Sequence, residues 1–184
     1  ASFSDVGPDH WANPYVTYLV SRGVISGDSS GLYHPDDPAT RGEFLSLVAS
    51  ALSAANLPQR AVQVYSDVPT TSYVARPASW LYFNNLGGGA VSGGRFRPSE
   101  AITRQDMAAL LGNISSGIGL RLRSRGLDTG YVDLNQVASY ATDSVVRLRA
   151  AGILEMPSNY KLNPTATLNR GEMAQIVATL LSNL

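Results

Sequence analysis

The sequence has no cysteine, only two histidines and a single lysine, and each scarcity excludes a kind of site. Without cysteine there is no disulfide, no thiolate nucleophile and no cysteine-ligated metal. The histidines, His10 and His34, stand in no metal-spaced or triad-like pattern, and we expect both in surface loops. Nowhere do 18 apolar residues follow one another, so we predict no membrane insertion. We predict a protein that is not an enzyme and that uses no metal or cofactor.

The charges balance, with fourteen basic and fourteen acidic residues. No overall field draws the chain to nucleic acid, so a charged ligand must be bound by a local cluster. All basic residues except Lys161 are arginine, whose planar fork of donors suits carboxylate or phosphate, although genomic base composition would explain the bias equally well. We interpret Arg121, Arg123 and Arg125 as a solvated linker stretch rather than a nucleic-acid patch.

One pattern occurs three times along the 184 residues. Each copy opens with an aspartate motif whose first residue is aromatic. A proline element follows, and then an arginine motif. The aspartate motifs are Phe3–Val6, Tyr65–Val68 and Tyr131–Leu134, the proline elements Tyr33–Pro35, Phe96–Pro98 and Leu162–Pro164, and the arginine motifs Thr40–Glu43, Thr103–Asp106 and Asn169–Glu172. The aspartate precedes the arginine by 36 residues in the first copy and by 37 in the others, a regularity typical of true repeats. We assign the copies to residues 1–62, 63–128 and 129–184, with linkers at about 53–63 and 115–130.

Two helices are predicted in each copy. The longer begins at the arginine, because apolar residues follow it at the spacing of one helical face. These residues are Phe44, Leu47, Val48, Ala51 and Leu52, then Met107, Leu110, Leu111 and Ile114, then Met173, Ile176, Val177, Leu180 and Leu181. The shorter helix precedes it and ends at a glycine turn, formed by Gly23, Gly87–Gly89 or Gly152. Its predicted buried residues are Val16 and Leu19, Trp80 and Phe83, and Val145 and Leu148. One helix pair buries little surface, so we predict a mainly α fold of three helix-loop-helix repeats packed about a pseudo-threefold axis.

Each arginine lies inside a predicted helix cap. The capping pairs are Thr40 with Glu43, Thr103 with Asp106, and Asn169 with Glu172, of which the last two are imperfect capping boxes. A cation at the first helical position is disfavoured by about 0.3–1 kcal/mol, so the cap does not explain Arg41, Arg104 or Arg170. Either each arginine pairs with an acid of its own repeat, or it helps an exposed helix N-terminus to hold an anion. The candidate acids are Asp5, Asp67 and Asp133.

Other residues suit a sugar ligand. Aromatic rings lie near the start of the shorter helix at Trp11, Tyr73 and Tyr140. They are either core or half-buried residues, or they line a ligand groove. Ser26 with Gly27, and Ser92 with Gly93, offer a hydroxyl group and close approach to the backbone, whereas the third copy has Glu155 and Met156, which would repel an anion.

Enzymatic alternatives are weaker. Asp36 and Asp37 are adjacent acids in a proline-flanked loop, which are more typical of a turn than of a glycosidase. The run Gly87–Gly89 lacks the preceding strand and following lysine of a phosphate-binding loop.

These motifs, with His10-Trp11-Ala12, the turn at residues 23–27 and Thr40–Glu43, resemble the S-layer homology repeat in its usual order over nearly the whole chain. The resemblance implies a pseudo-trimeric helical module at the cell surface that anchors a surface or S-layer protein, whose other domains lie outside this sequence, non-covalently to the wall. It implies that inter-repeat grooves bind a secondary cell-wall polysaccharide, often through a pyruvate ketal, and that Arg41, Arg104 and Arg170 meet its acidic group. Because copies two and three depart from the pattern, we expect the groove around copy one's motifs to bind best and that around copy three's worst.

Two further interpretations stay open. The chain could be the wall-targeting module of a surface enzyme, or a self-assembly domain whose arginines and aromatic residues make protein contacts. A small hydrolase ranks last. The first residues lack the features of a signal peptide, so we expect a leader to have been removed if the protein is exported.

Overall fold

A computed structural model describes residues 2–26, 29–52 and 57–184. Its α-helices are α1 (Asn13–Ser21), α2 (Arg41–Leu52), α3 (Ala75–Phe83), α4 (Arg104–Gly117), α5 (Thr142–Ala150) and α6 (Arg170–Asn183), and single 3-10 turns lie at Gly88–Ala90 and Leu134–Gln136. Over these ranges there are isolated β-bridges but no strands, so the predicted mainly α architecture is confirmed. The second linker is shorter than expected, since α4 continues to Gly117. None of the described helices combines the length and the apolar character needed to cross a membrane.

The helical faces form one hydrophobic core. The apolar residues predicted for the three long helices are buried, except that Ala51 and Leu52 are half-buried. The prediction for α3 is wrong at one residue: Trp80 is buried, but Phe83 is 63% exposed. Ala78 and Leu81 face the core instead, because they occupy the positions that Val16 and Leu19 hold in α1.

The short helices end in left-handed residues, which stop the helix by reversing the backbone. Gly23 and Gly152 take this position with φ of 72° and 76°, as predicted. In copy two the residue is Asn85, with φ of 54°, and the glycine run begins only two residues later. The prediction that Gly87–Gly89 end this helix is therefore wrong. Asparagine can replace glycine here because its short polar side chain tolerates the left-handed region.

The repeats contact one another in a closed cycle. Ala39 donates its N–H to the carbonyl of Leu168 at 2.9 Å, Leu168 donates to Ile102 at 3.1 Å, and Ile102 donates back to Ala39 at 2.9 Å. We call these three bonds, one residue from each repeat, the backbone ring. Around it each long helix packs against the short helix of the next repeat: α2 on α3, α4 on α5, and α6 on α1. This cycle is consistent with the predicted pseudo-threefold packing.

Candidate functional site

The aspartates of the aspartate motifs fix the proline turns. Each carboxylate accepts two backbone N–H bonds of 2.8–2.9 Å from the first two residues of the proline element. The donors are the N–H groups of Tyr33 and His34 for Asp5, of Phe96 and Arg97 for Asp67, and of Leu162 and Asn163 for Asp133. The second residue of each pair has φ between 56° and 61°, a conformation that the carboxylate stabilises. The three aspartates thus hold loops and do not pair with the motif arginines.

The motif arginines instead join neighbouring repeats. Arg41 donates from Nη1 to Asp106 at 2.8 Å, from Nε to the Phe96 carbonyl at 2.8 Å and from Nη2 to the Ala90 carbonyl at 2.6 Å. Arg104 pairs in the same way with Glu172 and the Leu162 carbonyl, and Arg170 with Glu43 and the Tyr33 carbonyl. The alternative in which each arginine pairs with an acid of its own repeat is therefore wrong. The partner is the capping acid of the next repeat.

The helix N-termini are not free to hold an anion. The N–H groups of Arg41 and Gly42 donate to the carbonyls of Glu100 and Pro98 in the next repeat, at 2.8 and 2.9 Å. In the same way, the N–H groups of residues 104 and 105 donate to the carbonyls of residues 166 and 164. Those of residues 170 and 171 donate to the carbonyls of residues 37 and 35. These donors are already satisfied, so the exposed anion-binding N-terminus that the sequence suggested is not present.

The caps form, with one difference from expectation. Thr40 with Glu43, and Asn169 with Glu172, each exchange both hydrogen bonds of a capping box, so the third box is complete rather than imperfect. Thr103 accepts the Asp106 N–H, but the shorter Asp106 side chain does not return the bond. It accepts instead from Arg41 and from the Tyr140 hydroxyl, the latter at 2.5 Å.

A groove lies where the turn of repeat one meets the other two repeats. We name it groove one and define it by Ser26 and Glu43 of repeat one, Tyr73 of repeat two and Arg170 of repeat three. Its volume is about 350 Å³, and Tyr73 is 66% exposed. The Arg170 guanidinium lies over the Tyr33 ring, 4.8 Å from its centroid. The arginine of copy one's groove is thus supplied by copy three, not by copy one's own Arg41.

The equivalent position in repeat two is closed. The Ala90 carbonyl binds Arg41, which is only 2% exposed. The Tyr140 ring lies so close to Gly89 that any side chain there would overlap it. The short 3-10 turn and Tyr140 therefore occupy the space that stays open in groove one.

The position in repeat three is narrow. Its cavity of about 60 Å³ is lined by Arg104, Glu155, Glu172 and Gln175. The Gln175 amide donates to Glu155 at 2.7 Å and to the Tyr15 hydroxyl at 3.3 Å. Two carboxylates beside one guanidinium make this position unfavourable for an anion.

The remaining candidate residues lie apart. Trp11 is exposed and packs beside Gly171, the residue after the motif arginine of copy three. Ser92 and Gly93 line a different cleft, within repeat two, and Gly27 lies outside the described residues. Tyr33 also lines groove one. It was not among the predicted site residues, although it is the first residue of a proline element. No group of three or more His, Asp or Glu suited to a metal occurs in residues 2–26, 29–52 and 57–184.

Tyr140 provides a pH-dependent test of the closed position. Burial, and then the hydrogen bond to Asp106, raise the pKa of Tyr140 to about 12 from 10.0. Because the pKa is raised in the folded state, protonated Tyr140 stabilises the fold fully below its ordinary pKa of 10.0. This contribution is lost as the pH rises through about 12. We expect Tyr140→Phe to lower the free energy of unfolding at pH 7 by about 1 kcal/mol, and the difference from wild type to shrink above pH ~10. Urea unfolding at pH 7, 9 and 11 would check this, and a difference independent of pH would contradict it.

The closed cycle of helix pairs, with a groove of about 350 Å³ between repeats, defines a helical module of three repeats. The profile of the S-layer homology domain matches residues 2–45, 64–108 and 130–174. The chain belongs to this family, which confirms the resemblance seen in its motifs, and the family places it at the cell surface as a wall-anchoring module.

Relatives of two kinds share this segment. An S-layer protein of Bacillus thuringiensis subsp. finitimus is 28% identical over 96% of this chain and 21% of its own length. An endoglucanase of Bacillus sp. (strain KSM-635) is 26% identical over 97% of the chain and 18% of its own length. An amylopullulanase of Thermoanaerobacterium thermosulfurigenes is 24% identical over 98% of the chain and 9% of its own length. The chain thus spans less than a quarter of each of these proteins.

Proposed function

We propose that the chain anchors a surface protein by binding an acidic, pyruvylated wall polysaccharide in groove one. The observation that carries the proposal is that Arg170 combines a free donor with an open groove. Arg104 also bonds through only Nε and Nη1 among the described residues, but it lies at the narrow position. Arg41 uses all three guanidinium nitrogens within the protein, whereas Nη2 of Arg170 makes no hydrogen bond to any described residue. The Arg170 side chain is 23% exposed, so this nitrogen can donate to a ligand carboxylate.

The surroundings of Arg170 suit a sugar that carries the acid. Tyr73 offers an exposed ring for the apolar face of a pyranose, and Ser26 offers a hydroxyl group. The volume of about 350 Å³ falls within the range of small-ligand sites. Glu43 does not prevent binding, because one of its oxygens is bound by the Thr40 N–H and the other by Arg170 itself.

Under this proposal, the module is attached to an S-layer protein or to another surface protein. The relatives include an S-layer protein and an endoglucanase by name, and this supports the same anchor serving either kind of protein. Binding of one polymer by several modules would raise the apparent affinity by up to about 10²–10⁴, so a weak groove suffices.

The test is calorimetric titration of the chain with purified wall glycan, with and without its acidic substituent. We expect Arg170→Gln to weaken binding of the acidic glycan by about ten- to a hundredfold. Arg104→Gln is the matched control, because it removes the same inter-repeat pair at the narrow position three. We expect it to bind as wild type does.

Equal losses in both variants would overturn the assignment to groove one. Failure of the wild-type chain to bind either glycan, together with association that depends on protein concentration, would favour the self-assembly interpretation.

A further inference from the structure

The three repeats differ at the end of the short helix. Tyr82 and Phe83 form its last turn in repeat two and are 52% and 63% exposed. Their rings meet edge to face, with centroids 5.3 Å apart. The same positions are Val20 and Ser21 in α1, and Arg149 and Ala150 in α5. An exposed aromatic pair in one repeat only is unnecessary for the shared fold, and it marks an interaction site.

These rings border a cleft of about 520 Å³, larger than groove one. All of its lining residues belong to repeat two, so it is separate from the inter-repeat positions. Tyr65, Asn85 and Ser92 supply polar groups, while Gly93 and Gly94 expose bare backbone. None of the lining residues is charged.

We propose that this cleft binds an uncharged pyranose unit of a glycan. An aromatic ring covers the apolar face of a sugar, short polar groups bond its hydroxyls, and glycine lets the ring approach the backbone closely. The absence of charge in the lining favours a neutral sugar over an acidic one, because a carboxylate would lose its hydration without gaining a cation. The volume falls within the range of small-ligand sites.

Repeat two thereby keeps a role in binding although its inter-repeat position is closed by Ala90 and Tyr140. Groove one would hold an acidic unit and the cleft a neutral one. The inference rests on the proposed function only in taking a glycan as the ligand.

The test uses neutral tetrasaccharides of β-linked N-acetylglucosamine and of β-linked glucose as probes in calorimetric titrations. The variant Tyr82→Val with Phe83→Ser carries the residues that repeat one has at these positions, which preserves an α-helix compatible with the fold. We expect wild type to bind at least one probe and the double variant to bind it at least about tenfold more weakly. The control Tyr160→Asn removes a tyrosine that is 56% exposed in repeat three, and it should bind as wild type does.

Urea unfolding of the double variant shows whether it is folded, and Tyr82→Val alone serves as the second variant if it is not. Arg170→Gln should bind the neutral probes normally, so failure of groove one and failure of the cleft are distinguishable. Unchanged binding in the folded double variant, loss of neutral-sugar binding in Arg170→Gln, or no binding of either probe by wild type would overturn the inference.

Discussion

Replacing Arg41 with methionine is expected to lower the free energy of unfolding by about 3–5 kcal/mol. The guanidinium is buried and donates to Asp106 and to the carbonyls of Phe96 and Ala90. Burial lowers the pKa of Arg41 and Asp106 opposes that shift, so the carboxylate stabilises the buried guanidinium. Without Arg41 the buried Asp106 carboxylate loses its cation and two carbonyls lose a donor. Urea unfolding at pH 7, followed by circular dichroism, measures the loss.

Arg104→Met is the matched control for this prediction. It occupies the same motif position, but its side chain is 19% exposed and only two of its nitrogens bond to residues that the structure describes. Water can therefore replace part of what is lost, and we expect a decrease of about 1 kcal/mol. If Arg41→Met cost no more than Arg104→Met, burial would not be the source of the difference.

Replacing Asp133 with alanine is expected to lower the free energy of unfolding by about 3 kcal/mol. The carboxylate is buried and accepts the N–H groups of Leu162 and Asn163, each at 2.9 Å. Its removal leaves a buried N–H without an acceptor and releases Asn163 from its left-handed conformation, with φ of 56°. Differential scanning calorimetry would show the loss as a lower Tm.

Asp5→Ala provides the comparison in repeat one. Asp5 makes the same two bonds, but it is less buried, so we expect a smaller decrease in Tm.

Faster amide hydrogen exchange at Leu162 and Asn163 should accompany Asp133→Ala. Unchanged exchange there would show that the turn does not depend on the carboxylate.

The helices could be predicted from sequence because their causes are local. Apolar spacing and a capping residue lie within one segment, and both recur in every repeat, so errors in one copy can be checked against the others. The error at α3 arose because the large rings of Trp80 and Phe83 suggested core positions more strongly than Ala78 did. Alignment to Val16 and Leu19 by helix position would have identified Ala78 and Leu81.

The partners of the arginines could not be predicted because they cross repeats. Arg41 and Asp106 are 65 residues apart, and every copy carries both types of residue. A repeated sequence does not say whether a pair forms within a copy or between copies. Closure of the second position likewise depends on the Ala90 carbonyl, a group that every residue has. The glycine run of copy two was the sequence signal for this closure, and Glu155 was the signal for the narrow position of copy three. The ranking of grooves by affinity stays a prediction.

The backbone ring also limits how such a module can evolve. In an open solenoid each end leaves a face to which another repeat can be added. Here the third repeat returns to the first, with the Tyr33 hydroxyl bonded to the Arg170 carbonyl across 137 residues. A single extra repeat would have to break the ring before it could join. We therefore expect stronger attachment to require duplication of the whole three-repeat module, and loss of a single repeat to destabilise the other two.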